Sequence, residues 1–201
     1  MTLDRRRIVD EAVALLDAEG LENVTLRKLA ARLGVQAPTL YWHLPNKAAL
    51  ITAIAEQILT PLPTVPLSPG ERWQDWLIAL AERLRKAMLA HPDGARVVSA
   101  AHLSLNQAAI SETAMRTLVE QGLPLHQARV TVLTVEHFTL GYVLSEQAPR
   151  PDEESLKGFD AEAFTQNHPT VIAGITEYFK PGRTPDDLFR ECATLIVEGP
   201  G

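Results

Sequence analysis

The chain has 201 residues, a mass of 22.1 kDa and a formal net charge of −6, long enough to bury a working core as one large domain or as a small one joined to a larger. Residues 1–47 hold seven Lys/Arg and six Asp/Glu, while the rest hold twelve and nineteen; so acidic a body repels phosphate, which excludes wrapping RNA or single strands along the whole chain and confines nucleic-acid contact to the head. One cysteine, Cys192, excludes an internal disulfide and a zinc site of several thiolates, and no apolar run approaches the roughly 20 residues of a membrane span, which predicts a soluble, cytoplasmic protein with no membrane partner.

Apolar residues recur at helical spacing with no sustained period-two alternation, which predicts an all-α fold. Ile8, Ala12, Leu15 and Leu16 form the stripe of a first helix over 4–19, stopped by Gly20. Asp10, Glu11, Asp17 and Glu19 interrupt the apolar stretch that follows Arg5, Arg6 and Arg7, so this is an amphipathic helix and not a secretory leader. Thr25 caps a second helix over 26–33, with Leu29, Ala30 and Leu33 turned inward, and Gly34 supplies the positive φ that ends it. A third, short helix begins near Pro38, which suits a first turn. Asn46 caps a fourth that carries Leu50, Ile51, Ile54 and Ile58 to about residue 59.

Four prolines within 60–70 cannot continue a helix. They predict a head over 1–47, a connecting helix and proline-rich linker over 48–69, and a body over 70–201. The body reads as a long helix over 71–90 (Trp73, Trp76, Leu77, Leu80, Leu84, Met88) ended by Pro92 and Gly94, a short one over 95–101, one over 107–121 stopped by Gly122, and the strongly apolar 125–147. The run PRPDEE then marks a loop, followed by two weaker helices, 160–179 with a break at Pro169 and 186–197.

The segment 25–47, TLRKLAARLGVQAPTLYWHLPNK, holds Arg27, Lys28, Arg32 and Lys47 and no carboxylate. Helix, tight turn and helix in a local island of positive charge is what gripping DNA requires. With Leu40 and Leu44 inward, Gln36, Thr39, Tyr41, Trp42 and His43 are left to face outward from a helix short enough for a major groove. Partly buried packing aromatics on a solvated basic face would be the ordinary reading of such a segment; the lack of carboxylates over 23 residues argues for phosphate.

The run TLRKLAARLGVQAPTLYWHLPNKAAL resembles the TetR family of transcriptional repressors, and specifically its tetracycline-repressor branch, through the paired Tyr-Trp-His and the Asn-Lys that opens the next helix. HFTLGYVL, 137–144, is similar to that branch's body. The resemblance implies a helix-turn-helix head on a ligand-binding and dimerisation body, binding a palindromic double-stranded operator as a homodimer and released by a small effector. By the same resemblance Arg27 reaches a guanine edge, while Pro38, Thr39, Tyr41, Trp42, His43 and Lys47 touch base methyls and phosphates. Thr25 and Lys47 sit at helix N-termini, where backbone N–H groups favour a phosphate. Ala37 stands where the tetracycline repressors read a base with glutamine, and Gln36 precedes it, so the operator sequence does not carry over. The family's dimer is a four-helix bundle; the matching faces are Val130, Leu133, Thr134, Phe138 and Gly141, and Leu188, Cys192, Leu195 and Ile196.

For the effector the departures matter more than the likeness. Val98 stands at the metal-binding histidine's place and Ser145 at the glutamate's, and 60–69 holds no histidine. The resemblance alone implies a magnesium–tetracycline complex; these departures argue against tetracycline and against a metal or other cofactor, and for a larger apolar or aromatic effector with few polar anchors. Its expected lining is Trp76, Leu80, Leu84, Val98, His102, Met115 and His137, with the two histidines as polar groups; singly, each histidine reads more simply as a satisfied core or surface residue. Glu146 lies one position from the absent glutamate.

An enzyme is the rival from another class, but there is no Gly-x-Ser-x-Gly elbow, phosphate-cradling loop, His-Glu-x-x-His pair or Cys beside His. Glu136 and His137 are helix neighbours, expected to point apart and make no relay. A regulator that binds DNA without any ligand is the other alternative.

Overall fold

A computed structural model describes residues 3–60, 62, 65–101 and 104–199. Those residues form helices and one 3-10 turn, with no strand among them. The first helix, α1 (Arg5–Glu19), starts where the Asp4 carboxylate accepts the Arg7 N–H at 2.8 Å, and ends at Gly20, φ 75°. A 3-10 turn over Leu21–Asn23, not anticipated from the sequence, leads to α2 (Leu26–Leu33). Thr25 caps α2 through its hydroxyl and Gly34, left-handed at φ 69°, closes it. Leu29 and Ala30 are buried as expected, but Leu26 is buried as well and Leu33 only partly so. Next come α3 (Ala37–Tyr41) and α4 (Lys47–Leu59), the latter capped by the Asn46 side chain on the Ala49 N–H at 2.8 Å.

Seven of the thirteen residues of α4 are buried, spread around its circumference. A helix apolar over so much of its surface must be largely enclosed, and α4 packs on α1, on α5 (Trp73–Leu89), on α6 (Gly94–Ala100) and on α7 (Leu105–Glu120). It is thus the shared element of head and body. The body is built on α8 (Leu125–Glu146), 22 residues and about 33 Å long. Against α8 lie α5, α6, α7 and α11 (Pro185–Glu198). A reciprocal capping box, Thr184 with Asp187, opens α11. The short helices α9 (Ala161–Asn167) and α10 (Pro169–Tyr178), parted at Pro169 as expected, pack mainly on each other, and Phe159, Val171, Ile175 and Phe179 remain exposed.

Head and body are also joined by polar contacts at the α5–α6 corner. Asp93, a non-glycine residue at φ 59°, accepts the Leu21 N–H at 2.9 Å through one carboxylate oxygen and a 2.9 Å bond from Arg96 through the other. Arg96 reaches Glu22 at 2.5 Å, and His91 meets Asp17 at 2.8 Å. The Leu21 amide, more than Arg96, holds the Asp93 carboxyl below its ordinary range. With its pKa depressed, this carboxylate stabilises the contact above its ordinary pKa, and that contribution is lost as pH falls through the lowered value.

Candidate nucleic-acid interface and effector cavity

The turn 33–36 sets α3 across α2. Val35 N–H bonds the Ala30 carbonyl at 3.0 Å and Gly34 N–H that of Ala31 at 3.2 Å, satisfying the end of α2 as the chain reverses. On α3, Leu40 is fully buried, and Leu44 just beyond it likewise, which rolls the remaining side chains outward. Trp42 is 90% exposed and Tyr41 51%. Gln36, Pro38 and Thr39 are exposed, Ala37 and His43 partly so. An indole left this bare adds nothing to the folded core, which makes the face a candidate contact surface.

The basic island is smaller in space than in sequence. Lys28 is bound by Glu19 at 2.7 Å and Arg32 by Glu11 at 2.5 Å, both on α1. The Lys28 bond, with lesser help from Arg32, lowers the Glu19 pKa. A window free of carboxylates therefore acquires them from 9 and 21 residues away, and these two cations fasten α2 to α1. Arg27 and Lys47 are exposed and in no ion pair among the described residues. Arg5 adds to them: its guanidinium lies 3.5 Å from the His43 carbonyl, which sets the start of α1 beside the end of α3. That neighbourhood had no sequence signal, since 38 residues separate the two. Thr25 is half-buried with its hydroxyl oxygen on the Lys28 N–H at 3.2 Å, leaving its own proton to donate.

Between the end of α4 and the body helices, Leu59, Leu84, Met88, Val98, Gln107, Ile110, Glu136, His137 and Leu140 enclose a cavity of about 20 Å³. That is room for about one water, against the 300–1,000 Å³ or so of a drug-sized site, so an occupant larger than water must part the helices. Of the expected lining, Leu84, Val98 and His137 are here, while His102 lies outside the described residues. Trp76, Leu80 and Met115 do not line this cavity. Trp76 is buried and donates its indole N–H to the Val65 carbonyl at 3.3 Å, pinning the linker to α5; Leu80 is buried in the core and Met115 packs against it. Larger grooves, such as the roughly 440 Å³ one between 65–67 and α7, are bordered by Arg116, Glu120 and Gln121 and are surface features.

Of the cavity's polar wall, His137 is expected from the sequence, whereas Glu136 and Gln107 are not. Glu136 and His137, expected to diverge, both border it. Burial pushes the Glu136 carboxyl up, against the opposing effects of the Ser111 hydroxyl, which donates to Oε1 at 2.6 Å, and of His137. Glu146 is engaged elsewhere, with both its oxygens on Arg85 at 2.7 and 2.6 Å. Among the described residues no group of three or more His, Cys, Asp and Glu is placed to hold a metal, and no helix is long and apolar enough to cross a membrane.

Comparisons with known proteins agree with this layout. Residues 8–54 match the model of bacterial regulatory proteins of the tetR family, and residues 65–199 that of the tetracyclin repressor-like C-terminal domain. The chain is 36% identical over 199 residues to tetracycline repressor protein class A from transposon 1721 of Escherichia coli, covering 98% of this chain and 90% of that one. Among solved structures, a TetR variant from Acinetobacter baumannii AYE in complex with minocycline superposes with a TM-score of 0.73 at 30% identity, over 98% of this chain and 96% of that one. BioQ with its double-stranded DNA operator gives 0.67 at 28%, over 87% and 98%.

Proposed function

The chain belongs to the TetR family of bacterial regulatory proteins, with a tetracycline repressor-like C-terminal domain, and from that premise we propose how it divides DNA reading, pairing and sensing among its residues. As a ligand-responsive regulator it acts on double-stranded DNA in the cytoplasm, as a homodimer, with no catalytic step. Trp42, Tyr41, Pro38, Thr39, Gln36, Ala37 and His43 enter the major groove, Arg27 reads a base edge, and Thr25, Lys47 and Arg5 meet phosphates. The observation that carries this is the bare Trp42–Tyr41 face, rolled outward by fully buried Leu40 and Leu44 beside Arg27 and Lys47, which no carboxylate among the described residues pairs.

Pairing falls to α8 and α11. Val130, Thr134, Gly141 and Leu144 form one exposed strip of α8, and Leu195 is exposed on α11. Gly141 in mid-helix weakens α8 by about 1 kcal/mol relative to alanine, and a Cβ there would meet nothing within 4 Å of this chain. Close approach of a second copy gives that glycine a purpose. Phe138 is turned inward to stack on Phe189, with ring centres 5.4 Å apart, and so supports the face instead of forming it.

The effector is largely apolar and enters the α4–α8 cavity. Because Leu59 of α4 and Val98 of α6 are cavity walls, opening the cavity shifts the two helices that hold the head. Glu56 adds a third tie, taking the Leu105 and Asn106 N–H groups at the start of α7. Effector affinity for the spread form, in excess of that for the DNA-bound form, sets how far binding is released.

The proposal is tested by footprinting on the DNA upstream of the gene. Arg27→Ala is expected to cost about 1 to 3 kcal/mol on the protected palindrome and to relax base preference, whereas Lys47→Ala weakens all sequences alike. Equal losses for both mutants on specific and scrambled fragments would remove Arg27 from base reading. Arg5→Ala should lower the slope of log affinity against log salt by about 0.9 per half-site if Arg5 meets a phosphate, and an unchanged slope excludes it.

A further inference from the structure

The cavity has one carboxylate and, beyond the adjacent His137 imidazole, no basic side chain to match it. Its walls are Leu59, Leu84, Met88, Val98, Ile110 and Leu140, interrupted by the Gln107 amide, the His137 imidazole and Glu136. Glu136 makes no salt bridge among the described residues; its one hydrogen-bond partner there is Ser111. A hydroxyl is a neutral donor with a single proton, and that proton has a second acceptor in the Gln107 carbonyl at 3.2 Å. It satisfies a lone pair and leaves the charge uncompensated. Carboxylates in apolar surroundings are ordinarily matched by a cation, because their desolvation is expensive. Here Lys and Arg are absent from the wall, and the neighbouring His137 lies on the exposed side of α8.

A wall of this kind rejects anions and gives a neutral hydrocarbon no special advantage. What completes it is a positive charge carried in on an apolar skeleton, with an N–H aimed at the carboxylate. Resting on the reading that this cavity takes the effector, we propose that the effector is an apolar molecule bearing one protonated amine, and that Glu136 is the residue that selects it. The geometry sets the amine at the α7–α8 side, next to Ser111 and Gln107, and the skeleton toward Leu84, Met88 and Val98. Selectivity then arises less from shape, which the side chains of so small a cavity adjust, than from the penalty of burying Glu136 against a group that cannot neutralise it.

A matched pair of probes isolates the charge: 2-(1-naphthyl)ethylamine and 2-(1-naphthyl)ethanol, titrated into the full-length dimer at neutral pH and followed by calorimetry. The amine is expected to bind at least about tenfold more tightly than the alcohol, and Glu136→Gln to abolish the difference while leaving alcohol binding intact. Should the Gln variant not fold, Glu136→Leu removes the buried charge and keeps the bulk, with the same expectation. Equal affinities in the wild type, a preference that survives loss of the carboxylate, or no binding of either probe at about 1 mM overturns the proposal. Retention of the upstream DNA fragment is measured on the same preparations. If DNA is held and no amine preference is found, the inference about Glu136 alone falls; if DNA is not held, the regulator reading falls with it.

Discussion

Gly94→Ala is expected to destabilise the protein by on the order of 3 kcal/mol or more, although it adds a single methyl group. A Cβ at Gly94 would lie 2.1 Å from the Met88 carbonyl oxygen, 2.9 Å from its carbon and 3.1 Å from its Cα. These are backbone atoms of α5, and they cannot rotate away as a side chain would. The start of α6 would have to withdraw by roughly an ångström to restore ordinary contact distances, pulling Ala95, Val97 and Val98 out of a core in which all three are buried and releasing the Ala95 N–H from the Gln147 side chain. Gln147 itself holds the Met88 and His91 carbonyls, so the whole corner loosens together. The same shift moves Asp93, whose bond to Leu21 is a direct tie between body and head. Urea denaturation at fixed protein concentration checks the loss, and footprinting checks whether DNA affinity falls beyond what stability explains. Gly174→Ala, with nothing within 4 Å of the added methyl, is the control; in an exposed helix it should stabilise by about 1 kcal/mol. A Gly94→Ala protein as stable as that control would mean that α5 and α6 do not approach so closely.

The difference between what could and could not be read from the sequence follows the range of the interactions. Helix ends depend on neighbours three or four residues away: Thr25, Gly34, Asn46 and Pro169 each act on an adjacent turn, and α2 occupies its expected span to the residue. The outward roll of α3 is legible for the same reason, since Leu40 and Leu44 lie one turn apart. Charges and cavities are not local. Arg32 meets Glu11 across 21 residues, and with Lys28 also paired the segment that reads as wholly basic keeps only part of its charge free. Arg85 joins Glu146 across 61 residues and Asp186 across 101, so Glu146, one position from a family ligand, is a structural anion. Trp76 is expected from the sequence among the lining residues of an effector site, and its indole donates to a linker carbonyl 11 residues away. Glu136 carries no motif, and its meaning depends on α7 supplying Ser111 and on apolar side chains from five different helices.

Arg85→Ala should lower body stability by about 3 kcal/mol, and the way its partners share that loss tests why. The Arg85 side chain is 11% exposed and Glu146 22%, while Asp186 is 81% exposed. Its pKa is raised, chiefly by Glu146, so it stays charged at any pH at which the protein folds. The guanidinium also lies over Phe189 and Tyr142, 5.1 and 5.9 Å from their ring centres, and thus welds α5, α8 and α11 behind the proposed pairing face. Asp186→Ala should cost under about 1 kcal/mol, because water already screens that bond. Glu146→Ala should approach the full loss, since it leaves a buried guanidinium with only an exposed partner. Removing both charges of the tight pair, as in Arg85→Met with Glu146→Leu, should recover most of the stability, because apolar side chains of similar volume avoid the desolvation that the ion pair must overcome. Additive losses in that double mutant would show that the two residues do not act as a pair. Because α8 and α11 also carry Val130, Gly141 and Leu195, the single mutants should raise the dimer dissociation constant in sedimentation runs, and the double mutant should restore it.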